Sequence, residues 1–292
     1  LSNTQGPKII AHRGGAGLRP ENSLAAVEHA IELGVDGIEV DVHLSKDGEV
    51  VVYHDFRLNR YLTREGGDWL PETGAAVKDL TLQQLRSYDI GRIKPDTPAA
   101  AKHPNQVPSD GEPIPTLREI AARMHQSDAK DMTLLVEMKT LPSLPDLSSD
   151  PIAMTDASLK VCEEEGILDR TRMISFDWRG LRHVQARNPD IETVYLTGRR
   201  EFTEESDDEL TAGFNPSRFA NSIVNAIEAA GGKYWGPSFR QLTTDDVLQA
   251  HSKGLELSVW TVNTAEDLRR MAYMNIDYVT TDRPDLALGV FS

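Results

Sequence analysis

Eight short apolar runs rich in β-branched residues recur along the chain, near residues 8–12, 36–42, 132–139, 171–176, 191–196, 232–236, 255–262 and 277–281. Their length and composition predict strands. Between them apolar residues return at helical spacing, over Ser23 to Leu33, Thr116 to Gln126, Ala153 to Glu165, Arg179 to Arg187, Pro216 to Ala230, Thr243 to Lys253 and Thr264 to Met271. Strands alternating with helices predict a parallel sheet, and eight units suit closure into an α/β barrel. At 292 residues the chain accommodates one such barrel, usually roughly 250 residues, as a single domain 1–292.

The alternation fails in one place. From Phe56 to Ile114, Gly66-Gly67, Gly74, Pro95, Pro98, Pro104, Pro108 and Pro113 punctuate polar sequence. A segment this long is not a plain loop, so residues 56–114 are expected to form a subdomain inserted after the second strand, with one helix at Thr81 to Tyr88. Just ahead of it, Glu49 to Tyr53 follows the tight-turn residues Lys46-Asp47-Gly48 and predicts a hairpin on the second strand. That hairpin would fold His54 back over the barrel mouth.

Composition narrows the partners. A formal net charge of −15 argues against a nucleic-acid partner or a hold on anionic lipid, both of which need a basic surface. Nor does any apolar run reach the length of a membrane span. The single cysteine, Cys162, lies in a helical pattern and reads as a small buried apolar residue. Leu1 to Pro7 lacks an initiating methionine, as after removal of an export signal or a tag. The expectation is a periplasmic or secreted protein, with the cytoplasm as the alternative.

Candidate chemistry lies at the strand ends. In Asp36-Gly-Ile-Glu-Val-Asp-Val42, Glu39 and Asp41 share one side while Ile38, Val40 and Val42 occupy the other. An acid pair on a strand is ordinarily a solvated face; with the other side apolar, two carboxylates here repel unless a cation compensates them, and the joint pattern with the runs that follow favours the cation. The run Met132 to Lys139 repeats the device, with Glu137 and Lys139 in step and Val136 and Met138 opposed. Three carboxylates with no obligatory imidazole or thiolate suit a hard cation, Mg²⁺ or Ca²⁺. Arg13 and Lys139 would then hold phosphate oxygens.

Other signals carry less. Gly14-Gly15-Ala16-Gly17 lacks the Lys-Ser/Thr of a P-loop and reads as a close turn over the mouth. His43 shares the parity of Glu39 and Asp41, but its place beyond the strand end predicts exposure. His29, His125, His183 and His251 lie in helical patterns and His103 in the insertion, all read as surface or partly buried residues. Ser175 has no partner histidine nearby and does not read as a nucleophile. The acid-rich Glu201 to Glu209 reads as a solvated face. Trp260 ends an apolar strand and is expected to wall the substrate, with Phe176, Phe214, Phe219 and Trp235 as further candidates.

Taken in order, His12-Arg13-Gly14, Pro20-Glu21-Asn22-Ser23, Glu39-Val40-Asp41, Lys46-Asp47-Gly48, His54-Asp55, Glu137-Met138-Lys139, Trp260-Thr261-Val262-Asn263 and Thr281-Asp282-Arg283-Pro284 resemble the motifs of the glycerophosphodiester phosphodiesterases. The resemblance covers residues 9 to about 285. Ser23, where threonine is more usual, keeps the hydroxyl. What the likeness implies is a TIM-type (β/α)8 barrel and metal-dependent hydrolysis of a small-molecule glycerophosphodiester to glycerol 3-phosphate and an alcohol. Glu39, Asp41 and Glu137 would bind the divalent metal, and His12 and His54 would form the acid–base pair, with their order left open. Arg13, Lys139 and Trp260 would contact substrate. Glu21 and Asn22 would support the metal ligands from behind or cap the helix that follows. Two alternatives remain: a related barrel acting on lysophospholipid or sphingomyelin-type lipids, and a non-catalytic surface binding protein. Oligomeric state is not readable from the chain.

Overall fold

A computed structural model describes residues 6–127, 129–198, 202 and 205–292. Eight parallel strands close into a barrel, in the order Lys8–Ala11, Tyr278–Thr281, Glu256–Val259, Tyr234–Pro237, Glu192–Thr197, Thr171–Ser175, Thr133–Met138 and Gly37–Leu44, the last pairing back onto the first. Helices between the strands form the outer layer, which makes this the TIM-type barrel expected. The predicted hairpin is present, Val50–Val52 running antiparallel to Gly37–Leu44 through Val42 with Val52 and Leu44 with Val50. Among the described residues no helix is long and apolar enough to cross a membrane.

Strand parity sorts the side chains into two cores. Ile38, Val40, Val42, Val136 and Met138 face outward into the layer beneath the helices. Ile10, Leu135, Ile174, Val194, Leu196, Tyr234 and Tyr278 fill the barrel interior, with Phe176 and Trp260 packed above them. At the amino end of the strands Arg172 plugs the interior, its guanidinium carbon 4.3 Å and 4.5 Å from the ring centres of Tyr234 and Tyr278 and its Nε donating to Glu192 at 2.5 Å. The interior is therefore filled from below, and access is from the carboxyl ends.

Local chemistry sets the element ends. Ser23 caps Leu24–Leu33, its hydroxyl accepting from Ala26 N at 3.1 Å, so the cap is Ser23 and not Glu21 or Asn22. The predicted helix from Pro216 to Ala230 is broken. A short 3-10 turn at Pro216–Arg218 and the helix Ile223–Ala229 are separated by Ala220 and Asn221, both in the left-handed region. The helix Pro284–Phe291 was not anticipated from periodicity.

Residues 56–114 carry a small antiparallel sheet of Arg64–Glu65, Asp68–Trp69 and Tyr88–Asp89. A separate apolar cluster of Val51, Tyr53, Leu58, Val77, Leu85, Ile90 and Ile114 lies beneath it. The expected helix is shorter, Leu82–Leu85 behind a Thr81 cap, and Tyr88 belongs to the sheet. Gln106 Nε2 and Val107 N tie this segment to Ala16 O and Leu18 O of the first loop, at 2.7 Å and 2.9 Å.

Cys162 is buried, as expected. Leu1 to Gln5, where export was read, lie outside the described residues, as do Glu201, Thr203 and Glu204 of the acid-rich stretch. The described acids of the remainder are mixed: Glu209 is exposed and Asp208 half-buried, as on a solvated face, whereas Asp207 is buried in the short helix Glu205–Leu210.

The closing seam supplies a test. A Cβ at Gly37 would lie 2.7 Å from Ile10 Cδ1 and 2.9 Å from Thr133 O, wedged between two neighbouring strands. Gly37→Ala should therefore lower unfolding free energy by about 1–3 kcal/mol, read from urea denaturation. An unchanged midpoint and slope would show that the seam tolerates a methyl group and is looser than built.

Candidate active site

Parallel register brings the predicted acids together. Asp41 lies beside Glu137 and Glu39 beside Leu135, so three carboxylates from adjacent strands emerge at one end of the barrel. One ligand atom from each of Glu39, Asp41 and Glu137 falls within 4.8 Å of the others. All three residues are buried.

The first loop is folded around them. Arg13 N donates to Glu39 Oε2 at 2.8 Å, and Asn22 grips Asp41 twice, Nδ2 donating to Oδ2 at 2.9 Å and Oδ1 accepting from Asp41 N at 3.1 Å. Glu21 accepts from Arg13 Nη1 at 2.9 Å, and Arg13 Nε lies 3.5 Å from Asp41 Oδ2. Arg13 and Asn22 both have φ near +50 to +60°, a conformation uncommon outside glycine that these contacts hold in place. Gly14, at φ +80°, is required because a Cβ there would meet Ala26 Cβ at 2.7 Å. Across the site Lys139 Nζ donates to Glu137 Oε1 at 2.8 Å and lies 3.5 Å from Asp41 Oδ1.

These cations do not saturate the acids. Glu39 Oε1 and Asp41 Oδ1 are buried without a hydrogen-bond partner. Burial, then the neighbouring charges of Asp41 and Glu137, push the Glu39 carboxyl well above the usual carboxylate range. Burial also opposes ionisation of Asp41, but His54, Lys139 and Arg13 outweigh it and hold that carboxyl below its ordinary value. Lys139 moves upward, the pull of Glu137 and Asp41 exceeding the cost of its burial. An orphaned oxygen on each of two adjacent buried acids fits an oxygen-seeking divalent cation, and Glu39, Asp41 and Glu137 are the residues able to hold it.

Both predicted histidines line the same pocket as these groups, and each is tethered by a carboxylate. Because Ala11 pairs with Thr281, the next residues, His12 and Asp282, fall side by side, and His12 Nδ1 meets Asp282 Oδ1 at 2.5 Å. Asp282 is held in turn by Asn263 Nδ2 at 2.6 Å, and its carboxyl is lowered by His12 against the effect of burial. His54 Nδ1 meets Asp55 Oδ1 at 2.6 Å, while Asn59 Nδ2 donates to Asp55 Oδ2 at 2.7 Å. No role was read from sequence for Asp55, Asn59, Asn263 or Asp282 as supports of the imidazoles. For Asp55 the adjacency to His54 was the available signal, whereas Asp282 meets His12 only through the closing register.

His43 corrects the expectation of exposure. It is buried, edge-on to Phe56 with ring centres 5.2 Å apart, and its Nε2 lies 3.3 Å from His54 O. Burial and the nearby Lys139 charge lower its pKa to about 4, so it is neutral at pH 7.

Opposite the charged groups the pocket is apolar, walled by Leu135, Ile174, Phe176, Val194, Leu196 and Trp260 around a cavity of about 120 Å³. Trp260 is fixed by Nε1 donating to Gly236 O at 2.9 Å and by an edge contact with Phe176. Phe214, Phe219 and Trp235 do not belong to this wall. Trp235 has the opposite parity to Tyr234 and lies under the helices, its Nε1 donating to Thr197 Oγ1, and Phe214 and Phe219 stack on each other.

The family model of the glycerophosphoryl diester phosphodiesterases matches residues 12–286. A glycerophosphodiester phosphodiesterase of Caldanaerobacter subterraneus subsp. tengcongensis is 29% identical over 97% of this chain and 96% of its own. The crystal structure of a candidate glycerophosphoryl diester phosphodiesterase from Silicibacter pomeroyi DSS-3 is similar with a TM-score of 0.90 and 31% identity, covering 99% of this chain and 94% of that one. A phosphodiesterase from Oleispira antarctica, solved with the product sn-glycerol-3-phosphate, shares the fold at a TM-score of 0.73 and 23% identity, over 98% of this chain and 96% of its own. A match that starts at His12 and runs through the Asp282 motif takes in every residue of the site just described, and the chain belongs to the glycerophosphoryl diester phosphodiesterase family.

Proposed function

We propose that the protein hydrolyses glycerophosphodiesters to glycerol 3-phosphate and an alcohol such as choline, ethanolamine or glycerol, using a divalent cation and the imidazoles of His12 and His54. One observation carries the reading: Glu39, Asp41 and Glu137 converge within 4.8 Å while Glu39 Oε1 and Asp41 Oδ1 lack a hydrogen-bond partner. Mg²⁺ or Ca²⁺ bound there would supply Lewis-acid neutralisation of the phosphate oxygens.

The remaining work falls to the chain itself. Arg13 and Lys139 present positive charge to the same pocket and bind non-bridging oxygens as negative charge shifts in the transition state. With each Nδ1 engaged by a carboxylate, the Nε2 atoms of His12 and His54 are the nitrogens available for proton transfer. One imidazole removes a proton from the attacking hydroxyl and the other protonates the departing alkoxide. Asp282 and Asp55 orient these rings and stabilise their protonated forms. Trp260 and Phe176 pack the glycerol carbons.

Cation binding should be coupled to pH. Glu39 has its folded-state pKa raised above the unfolded value, so without a cation this group favours the fold at pH below the unfolded value and that contribution is lost as pH rises through the folded one. A cation displaces the proton, so calorimetry should show proton release and tighter Mg²⁺ or Ca²⁺ binding at pH about 8 than at about 6. Glu39→Gln should lose cation affinity while retaining the fold. Full turnover of thoroughly demetallated protein, or pH-independent binding, would overturn the assignment.

His12→Ala and His54→Ala should each lower kcat by roughly 10² or more. A p-nitrophenyl ester, whose leaving group needs little protonation, should rescue only the variant lacking the acid. Equal rescue of both would remove the division of labour. Asp282→Asn should lower kcat while leaving cation affinity near wild type, since it touches His12 and no metal-ligand oxygen.

A further inference from the structure

Beyond the His54–Asp55 pair lies a second cavity, of about 340 Å³, lined by Asp55, Phe56, Arg57, Arg60, Tyr61 and Leu147 among others. It is bounded by two loops of the barrel mouth, one following the hairpin and one following the strand that carries Glu137. Its backbone is closely stitched. Asn59 N donates to Tyr53 Oη at 2.7 Å, Tyr61 N to Asn59 Oδ1 at 2.8 Å, and Leu58 N and Gly74 N exchange hydrogen bonds with Ala75 O and Leu58 O at 3.0 Å and 2.7 Å. The cavity is thus held open by fixed elements and does not depend on a loose loop.

Two exposed arginines line this cavity. In a chain of net charge −15 many arginines sit on carboxylates, as Arg64 on Asp89, Arg92 on Asp110, Arg118 on Glu164 and Arg283 on Asp285, and others, such as Arg170 and Arg182, are held by backbone carbonyls. Among the described residues the Arg57 guanidinium has no such partner. Arg60 holds only its neighbour Tyr61, 4.7 Å from the ring centre with Nη2 donating to the hydroxyl at 2.5 Å. Asp55 lines the same cavity but forms no ion pair with either, its two oxygens being engaged by His54 and Asn59. Two guanidinium groups without an anion of the chain's own therefore border a cavity next to a reacting imidazole. Planar, weakly hydrated guanidinium groups are suited to carboxylate and phosphate.

We propose that this cavity receives the alcohol half of the substrate and selects diesters whose alcohol carries a second anionic group, a carboxylate or a phosphate, over those with neutral or cationic alcohols. The proposal rests on the phosphodiesterase reading of the main site. The two cavities meet at the neighbouring residues His54 and Asp55, so an alcohol leaving the phosphate on the His54 side would lie toward the arginines.

Glycerophosphoserine and glycerophosphoethanolamine differ by one carboxylate, and glycerophosphoglycerol with and without a terminal phosphate differs by one phosphate. The wild type should favour the anionic member of a pair by about tenfold in kcat/KM, and the R57Q/R60Q variant should bring that ratio close to one. Whichever pair shows the preference identifies carboxylate or phosphate as the preferred group. Equal use of both pairs by the wild type, or a preference kept by the variant, overturns the proposal. Calorimetric binding of the four diesters to both proteins separates the two readings. Tighter binding of an anionic member to the wild type alone, with no diester turned over, leaves the subsite standing and removes the hydrolytic function. Turnover with equal binding by both proteins does the reverse.

Discussion

The accumulation of buried negative charge at the carboxyl end of two neighbouring strands is the constraint on which the rest of the site depends. Carboxylates about 5 Å apart repel by about 3–4 kcal/mol per pair at an effective dielectric of about 20, before any cost of desolvation. Glu39, Asp41 and Glu137 cannot move apart, because parallel pairing of Gly37–Leu44 with Thr133–Met138 fixes their spacing. Relief has to come from what is built around them. Arg13, Asn22 and Lys139 supply part of it, and the left-handed conformations of Arg13 and Asn22 follow from being drawn in. Two oxygens remain over, and that residual deficit is one an oxygen-seeking cation would relieve.

The same field organises the imidazoles. His12 and His54 reach the pocket from different elements, one past the end of the first strand and one past the hairpin, yet each is fixed through Nδ1 by a carboxylate with an asparagine behind it. A third imidazole, His43, is not among the residues lining that pocket; it is buried edge-on to Phe56, and burial with the nearby Lys139 charge lowers its pKa to about 4. His43 is left as a neutral strut under the His54 backbone.

What was legible in the chain was whatever depends on local alternation. The parity of Ile38, Val40 and Val42 against Glu39 and Asp41 placed the acids inward, and the structure agrees. Eight apolar runs announced a closed barrel, and every one of them is a barrel strand. The Asp282–His12 contact was not legible, because it joins residues 270 apart through barrel closure and no periodicity reports it. Trp235 was misjudged for a different reason. Both faces of a parallel strand are apolar, so composition does not tell Tyr234, which faces the interior, from Trp235, which faces the helices. In the helix expected at Pro216 to Ala230, apolar spacing continued through Ala220 and Asn221, whose backbone does not.

These separations explain how the molecule divides its tasks. Charged groups that must hold position to fractions of an ångström, Glu39, Asp41 and Glu137, stand on strands locked by pairing on both sides. Groups that meet the variable part of a substrate stand on loops, which change more readily without disturbing the barrel. The segment 56–114 is attached at the strand that carries two of the three acids, has its own apolar cluster and touches the first loop through Gln106 and Val107. Its residues can therefore alter the walls around His54 while the carboxylates stay where the register puts them. Arg57 and Arg60 lie at the start of that segment, shortly after His54, where they line the adjoining cavity and stand apart from the pocket that holds the carboxylates.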